Sequence, residues 1–574
     1  MGGLGGVIAS AVGKQIASKL GEFAAEEITL QWGFRKDVLD MDEKMRDLQA
    51  VLLDADDKSR RGGQGGMVFQ RWLTKFKRVA YDVEDVLDEL DANQLIKKSQ
   101  PKVKLWFSRN NQLLHRTTMP HKMKNVRKKI DQIQNEGQRD LSLVPLEARA
   151  QGHRNDETFG PIIGEAVESG MVGRHVEKEK IISLLTSEAH ADISIIPVVG
   201  LGGIGKTTLV QSVLSDKKLT VFDVSAWVNV SKQFSLHKIG SDILKSLNSN
   251  INLDNCTSQF LHDSLKKELA TRRYLIVLDD LWEEDGDKLE SLKRMLQYGC
   301  RGSRIIVTTR NLSVVQKLCT GILANEGKIC PVPEPGQINL DVLSIDDCWE
   351  IMKKRAFGPD DHQSVLEEIA VKCGGLPLVA NALGQVMSEV RTVRSWEDIR
   401  NTKVDLGEVY QKRTLESLML SYYYMKLDYK MCFTYLAAFP KGFIMDRNRL
   451  IQQWKALGYI YPGHDGERCI NYLLGMSFLQ IPSTSVSPSP LHDNASRGLI
   501  MHDLVHDLAS IIVADEFIDL DATKSNSWNR ARYCRHAQLT NYKNDPKVFK
   551  YLPSTYVSWT LVEIQLKANL LQAT

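Results

Sequence analysis

At 574 residues, 43% hydrophobic and 25% charged, the chain has room for about three to five domains and is too apolar to be disordered throughout. Its 74 Lys and Arg nearly balance 71 Asp and Glu, leaving a formal net charge of +3, so attraction to nucleic acid or membrane must come from local clusters. Nine scattered cysteines, odd in number and without metal-site spacing, argue against a disulfide framework or an obligate metal cluster and suit reduced thiols.

The chain opens with Gly2 to Leu20, where Leu4, Ile8, Val12, Ile16 and Leu20 stand four apart. That spacing predicts a bundle helix; a segment able to leave the bundle for a membrane is the alternative. Gly6 occupies the position where a myristoylation signal needs Ser or Thr, there is no secretory h-region, and no stretch reaches the roughly 18 apolar residues of a membrane span. Met41, Met45, Leu48 and Leu52 draw a second helical stripe, and Trp72, Leu73, Phe76, Val83, Leu87 and Leu90 a wider third. With the glycine-rich turn Arg60 to Gly66 between them, residues 1–138 are expected to form an antiparallel α-helical bundle.

Two charged features stand out in this segment. Asp82, Glu84, Asp85, Asp88 and Glu89 read as an outward, solvated acidic face. Residues 92–130 hold eleven Lys or Arg and no acid, which suits a solvated helix face, or else nucleic acid, an acidic partner or anionic lipid. Residues 139–170, with Pro145 and Pro161, read as a linker.

From Met171 strands and helices alternate, which predicts a parallel α/β sheet. Ile195, Ile196, Val198 and Val199 form a buried strand that feeds Gly200-Leu201-Gly202-Gly203-Ile204-Gly205-Lys206-Thr207, a match to G-x-x-x-x-G-K-[ST]. Small residues let backbone N–H groups converge on phosphate oxygens at a helix N-terminus; Lys206 adds charge for the β/γ-phosphates and the Thr207 hydroxyl is suited to Mg²⁺. Gly200, Gly202 and Gly205 also spell the dinucleotide pattern G-x-G-x-x-G, with Asp223 roughly 20 residues on as its ribose acid. Asp223 would open rather than close its strand, however, and a dinucleotide loop has no use for Lys206-Thr207, so a nucleoside di- or triphosphate leads.

Tyr274 to Leu278 is a second buried strand, ending in Asp279 and Asp280, where Mg²⁺ and an attacking water would be held. A third, Arg304 to Thr309, delivers Arg310 to the same edge, within reach of a γ-phosphate. After residue 345 the chain turns helical, and Gly375-Leu376-Pro377 forces a kink or a new helix N-terminus. Residues 413–515 read as a compact helical domain with a small hairpin, and no repeat period follows.

GLGGIGKTT (200–208), YLIVLDDLW (274–282), GSRIIVTTR (302–310), CGGLPLVANALG (373–384), CFTYLAAFP (432–440) and MHDLVHDLA (501–509) resemble, in this order, plant intracellular immune receptors of the coiled-coil, nucleotide-binding, leucine-rich-repeat class. VEDVLDE (83–89) is similar to that family's EDVID motif. The central module of the family, NB-ARC, is a signal-transducing ATPase related to AAA+ proteins. The resemblance implies an Rx-type helical bundle (1–138), a linker (139–170), a P-loop α/β NTPase domain with a parallel sheet (171–340), a helical domain (341–410), a winged-helix domain (411–515) and a lead-in (516–574) to leucine-rich repeats that the chain does not reach.

Carried over by motif, the resemblance implies that Val172, Gly173 and Arg174 border an adenine pocket and that Gly200, Gly202, Gly203, Ile204, Gly205 and Thr208 wrap the phosphates. It likewise implies that Lys206 neutralises the phosphates, that Thr207 and Asp279 hold Mg²⁺, and that Asp280 stands where a hydrolytic base would. Arg310 would sense the γ-phosphate, Pro377 pack on the base, and His502 reach the ADP β-phosphate from the winged-helix domain. ADP, ATP and Mg²⁺ are the implied cofactors, with an ADP-bound resting state, an ATP-bound oligomer of like or other receptors, and hydrolysis that is at most slow.

The expected partners further include a pathogen effector or guarded host protein; the expected site is cytoplasmic or nuclear, with peripheral plasma-membrane attachment on activation. Residues 1–21 contain no acid, unlike channel-forming members. Two other readings compete: an ATP-driven remodelling enzyme that turns over steadily, and a nucleic-acid regulator using the winged helix and the basic residues 97–129.

Overall fold

Apolar stripes on separate helices need partners, and in the computed structural model the stripes of the N-terminal segment meet one another. The structure describes residues 12–21 except 14, 35–60, 67–99 and 112–141. It then describes 171–513 apart from connectors at 188–192, 231–233, 249–250, 252, 254–255, 321–328, 332–335, 356–362, 390–391, 403–411, 461–465 and 483–497, and finally 517–521, 536–540 and 560–561. The glycine-rich turn after Arg60, the linker beyond residue 141, and Leu4 and Ile8 lie outside these residues.

Helices α1 (Arg35–Arg60), α2 (Met67–Ser99) and α3 (Gln112–Leu141) form the bundle. Met41, Met45, Leu48, Trp72, Phe76, Leu87, Met123 and Ile130 fill its core, and Trp72 Nε1 donates to the Ile133 carbonyl at 2.9 Å. Val12, Ile16 and Leu20 are fully buried, so the described part of the first segment is a bundle helix.

The acidic face of α2 is not simply solvated. Lys129 reaches Asp82 at 2.6 Å, Lys122 reaches Glu89 at 2.6 Å, Lys19 pairs with Asp88, and the Gln15 amide donates to Glu84 at 3.2 Å. Arg127 meets Asp37 at 3.0 Å and Asp40 at 2.6 Å. Three of the eleven basic residues, Lys122, Arg127 and Lys129, are thus matched to acids of their own bundle. Such partly exposed pairs contribute up to about 1 kcal/mol each and serve chiefly to set helix register.

The second domain alternates α4 (His175–Thr186), β1 (Ile193–Gly200), α5 (Lys206–Leu214), β2 (Val224–Asn229), α6 (Leu236–Leu247), α7 (Ser258–Leu269), β3 (Tyr274–Asp279), α8 (Gly286–Leu296), β4 (Ser303–Thr309), α9 (Leu312–Leu318), β5 (Ile329–Pro331) and β6 (Ile338–Leu340). Its strand order is β2-β3-β4-β1-β5, with β6 also on β1, and every pairing is parallel. Helices cover both faces, which is why β3 and β4 are buried at every residue and carry the apolar runs Tyr274 to Leu278 and Ile305 to Val307. In register Val199 stands opposite Thr309 and Asn229 opposite Asp279. The carboxyl ends of β1, β3 and β4 therefore share one edge, where ligands of open α/β sheets bind.

A helical domain follows: α10 (Ile345–Lys353), α11 (Gln363–Lys372), α12 (Pro377–Glu389) and α13 (Val393–Asn401). A Ser344–Asp347 capping box starts α10. Gly374 (φ 58°) and Gly375 (φ 72°) turn the chain into α12, which begins at Pro377, so of a kink and a new N-terminus the chain takes the second.

The winged-helix domain comprises α14 (Lys412–Tyr424), α15 (Leu427–Tyr435), β7 (Ile444–Met445), α16 (Arg447–Ala456), α17 (Gly466–Gly475), β8 (Leu479–Gln480), β9 (Leu499–Met501) and α18 (Asp503–Ile512), with an antiparallel sheet ordered β7-β9-β8. Beyond it β10 (Phe517–Asp521), β11 (His536–Thr540) and β12 (Thr560–Leu561) stack in parallel, an ordered ladder where the sequence shows no period.

The glycine turn before α12 separates two costs. A Cβ at Gly375 would fall 2.6 Å from Val342 Cβ and 2.7 Å from the Leu343 carbonyl, whereas one at Gly374 meets nothing within 4 Å. Thermal or urea unfolding should therefore show Gly375→Ala losing about 2 kcal/mol or more and Gly374→Ala only about 1 kcal/mol, the left-handed penalty alone.

Candidate nucleotide-binding site

The loop between β1 and α5 is shaped by its glycines. Gly203 and Gly205 take φ of 75° and 95°, and a Cβ at Gly200 would press on Leu340 at 3.1 Å. Lys206, buried at the first turn of α5, donates its ammonium to the Gly200 and Leu201 carbonyls, each at 2.9 Å. Burial, and then Arg310, pull its pKa down to about 8, against the opposing pull of Asp280 and Asp279. Ile204 is buried under the loop, and Thr208 is exposed on α5.

At the end of β3 the Asp279 carboxylate is buried, accepting from Thr308 Oγ1 at 2.6 Å and from Thr207 Oγ1 at 3.0 and 3.1 Å. Burial is the main force raising its pKa to about 6. Asp280 turns into the left-handed region (φ 59°) and donates its N–H to Thr308 Oγ1 at 2.8 Å. This pose brings Asp280 Oδ1 to 3.5 Å from Arg310 Nε, while the Arg310 guanidinium lies 4.7 Å over the Trp282 ring.

The other two domains close over this edge. Leu378 N–H donates to the Gly203 carbonyl at 3.3 Å, and Pro377 stands 3.8 Å from where a Gly205 Cβ would be. From the winged-helix domain Asp503 Oδ2 approaches Arg310 Nη2 at 3.6 Å, and the Leu504 side chain packs over Gly202. His502 caps α18, its Nδ1 accepting from Leu504 N–H at 3.2 Å, and its pKa is lowered to about 3 by burial, then by Arg310, Lys206 and Lys441.

Val172 and Gly173 precede α4; a Cβ at Gly173 (φ 67°) would strike the Asp347 carboxylate at 2.7 Å. Arg174 is buried, reaches Glu177 at 2.9 Å and the Asp341 carbonyl at 2.5 Å, and leaves Nε buried without a hydrogen bond.

The structure thus gathers the loop, Asp279, Asp280, Arg310, Pro377 and His502 on one edge. It does not bring Asp223 there: that carboxylate sits at the opposite end of β2 and accepts the Arg273 N–H at 2.7 Å, which removes the ribose acid of the dinucleotide reading. Thr308, Trp282, Asp503, Leu504 and Asp347 are added by the fold. Only the alternation along Thr308-Thr309-Arg310 and the acid after His502 hinted at any of them.

The residues suit a nucleoside phosphate. Lys206, Arg310 and the glycine loop concentrate positive potential, and the buried Arg174 Nε has a donor to spare. Thr207 and Asp279 offer the hard oxygen donors that Mg²⁺ takes.

Fold and site together define a P-loop nucleoside triphosphatase module closed over by a helical and a winged-helix domain. Three domain families match the chain in sequence: the Rx N-terminal domain at 14–117, the NB-ARC domain at 174–362 and the Disease resistance protein Winged helix domain at 438–509. The chain thus carries, in this order, the N-terminal, nucleotide-binding and winged-helix domains of coiled-coil NB-ARC disease resistance proteins. It is 29% identical over 519 residues to Disease resistance protein RGA2 of Solanum bulbocastanum, covering 86% of this chain and 49% of that protein. It is 25% identical over 517 residues to Disease resistance protein RPM1 of Arabidopsis thaliana, covering 84% and 53%. It therefore spans about half the length of the curated relatives it matches. Among solved structures, a Signal Transduction ATPase with Numerous Domains protein with a tetratricopeptide repeat sensor from Pyrococcus horikoshii overlaps 63% of this chain and 44% of its own, at 12% identity and a TM-score of 0.36.

Lys206 provides a direct test. A phosphate beside an ammonium whose pKa sits at about 8 raises that pKa, so ADP binding near pH 8 to 8.5 should take up a proton. Calorimetry in buffers of differing ionisation enthalpy should detect the uptake in the wild type. With Lys206→Arg, permanently charged, the uptake should vanish.

Proposed function

We propose that the chain is the nucleotide-controlled switch of a plant immune receptor, resting closed with ADP and opening when ATP replaces it. The observation that carries this reading is Arg310, which faces Asp280 of its own domain at 3.5 Å and Asp503 of the winged-helix domain at 3.6 Å. An arginine shared across a domain boundary and aimed at the phosphate edge is a two-state element: a ligand that draws it away from Asp503 weakens closure.

In this reading Val172, Gly173 and Arg174 border the base, with Pro377 against it. Gly200 to Thr208 cradle the phosphates around Lys206, and Thr207 and Asp279 hold Mg²⁺, which would neutralise phosphate charge. His502 supports the closed form from the winged-helix side, buried and neutral beside Lys206 and Arg310. Asp280 takes the base position for slow hydrolysis that resets the switch. Opening would free the N-terminal bundle and the closing surfaces for assembly with further copies or with other receptors. A pathogen effector or guarded host protein would be the trigger, in the cytoplasm or nucleus, with the membrane reached only on activation.

The nucleotide released on denaturing purified protein tests this. Stoichiometric ADP is expected in the wild type, none in Lys206→Ala, and a faster-exchanging pool in His502→Ala. An empty wild-type protein that turns ATP over through many cycles would instead make it an ATP-driven remodelling enzyme.

The closed form should also be acid-sensitive. His502 is held neutral when closed, with its pKa at about 3, and would recover an ordinary value near 6.5 on exposure. The open form then binds the proton that the closed form refuses, so closure is fully supported above about pH 6.5 and weakens as pH falls toward 3, by about 1 kcal/mol per unit. Small-angle scattering between pH 7.5 and 5.5 should show expansion in the wild type and a flatter response in His502→Gln.

A further inference from the structure

The first turn of α18 delivers two side chains to the phosphate loop, and only Asp503 is charged. The other is Leu504. A Cβ built on Gly202 would fall 2.8 Å from Leu504 Cδ1 and 3.1 Å from its Cγ, and 2.8 Å from Arg310 Nη1. An isobutyl group and a guanidinium therefore share the space over one loop glycine. Leu504 is buried, and its own N–H is tied to His502 Nδ1 at 3.2 Å, so the helix cap fixes where the side chain starts.

Resting on the switch reading above, we propose that Leu504 is the residue through which the closed form selects a nucleoside diphosphate over a triphosphate. The physical argument is desolvation. A terminal phosphate entering the end of the loop marked by Gly202, Asp280 and Arg310 needs a donor for each of its oxygens, and methyl groups offer none. Arg310 could supply donors, but Leu504 lies beside it over the same glycine and Asp503 competes for it at 3.6 Å. The shorter diphosphate is held by Lys206 and the loop N–H groups, and leaves the Leu504 end of the loop apolar and dry. Gly202 has its own explanation in this arrangement: any larger residue there would displace Leu504 or Arg310.

The test is a fluorescence titration of the full chain, in Mg²⁺, with a labelled ADP and a labelled non-hydrolysable ATP analogue. Wild type, Leu504→Ala and Leu504→Val are compared, each with its melting temperature and hydrodynamic radius. We expect the wild type to prefer the diphosphate. Leu504→Ala should shift the ratio of affinities toward the triphosphate by about tenfold, and Leu504→Val, which keeps more of the packing, by less in the same direction, with the particle still compact.

An unchanged ratio in folded, compact variants overturns the proposal and leaves the switch standing. A ratio that moves only when the radius grows also overturns it, because selection then belongs to closure as a whole. Should Leu504→Ala fail to fold, Leu504→Val carries the same decision. A wild type that binds neither nucleotide removes the switch reading itself.

Discussion

The site depends on keeping a carboxylate inside the sheet. Burying Asp279 is costly unless its oxygens are satisfied, and two threonine hydroxyls do this, Thr308 at 2.6 Å and Thr207 at 3.0 Å. Even so the charged form is disfavoured enough to lift the pKa to about 6, which leaves the carboxylate ready for a cation. Thr308 also acts on the neighbouring acid, because its oxygen takes the Asp280 N–H at 2.8 Å and so supports the left-handed turn that points Asp280 at Arg310. A single buried hydroxyl on β4 thereby links the loop, both β3 acids and the arginine that faces the winged helix.

That chain of contacts gives domain closure its character. Arg310 is near two carboxylates yet tightly bound to neither, at 3.5 and 3.6 Å, and its buried Nε makes no hydrogen bond. Stacking on Trp282 holds the guanidinium plane while leaving its N–H edge to be claimed. Tight bidentate pairing with Asp503 would lock the domains; complete separation would leave closure without an electrostatic contact at this point. The observed geometry lies between these limits, where, in the proposed switch, a modest difference in ligand affinity would decide the state.

Features written in contiguous residues were legible in the sequence. The phosphate loop, the strands ending in Asp279 and Thr309, and the helix start at Pro377 all follow from local chemistry, and all appear where expected. What depended on register between distant segments was not. Asp82 and Glu89 read as a solvated face because nothing local reveals that Lys129 and Lys122 lie opposite. Asp223 matched a ribose acid by spacing, its place at the start of a strand already counted against that role, and the structure adds the Arg273 N–H that it accepts at that far end. The ladder of β10 to β12 escaped notice because little beyond Leu520 and Leu539 repeats between its short strands.

Leu504 illustrates the same limit at the site itself. In sequence it is one more apolar residue of an amphipathic helix, indistinguishable from Leu508 or Ile512, which are buried in the same helix. Its position in the first turn, immediately after the cap at His502 and the acid at Asp503, carries it out of the domain core and onto another domain's glycine. The helix cap therefore couples three roles in three consecutive residues: a neutral imidazole that closes the helix, a carboxylate that engages Arg310, and an aliphatic group that keeps the loop end dry. In the proposed switch, opening the winged helix would remove all three together, so the phosphate edge would pass from apolar and partly neutralised to wet and cationic in one movement.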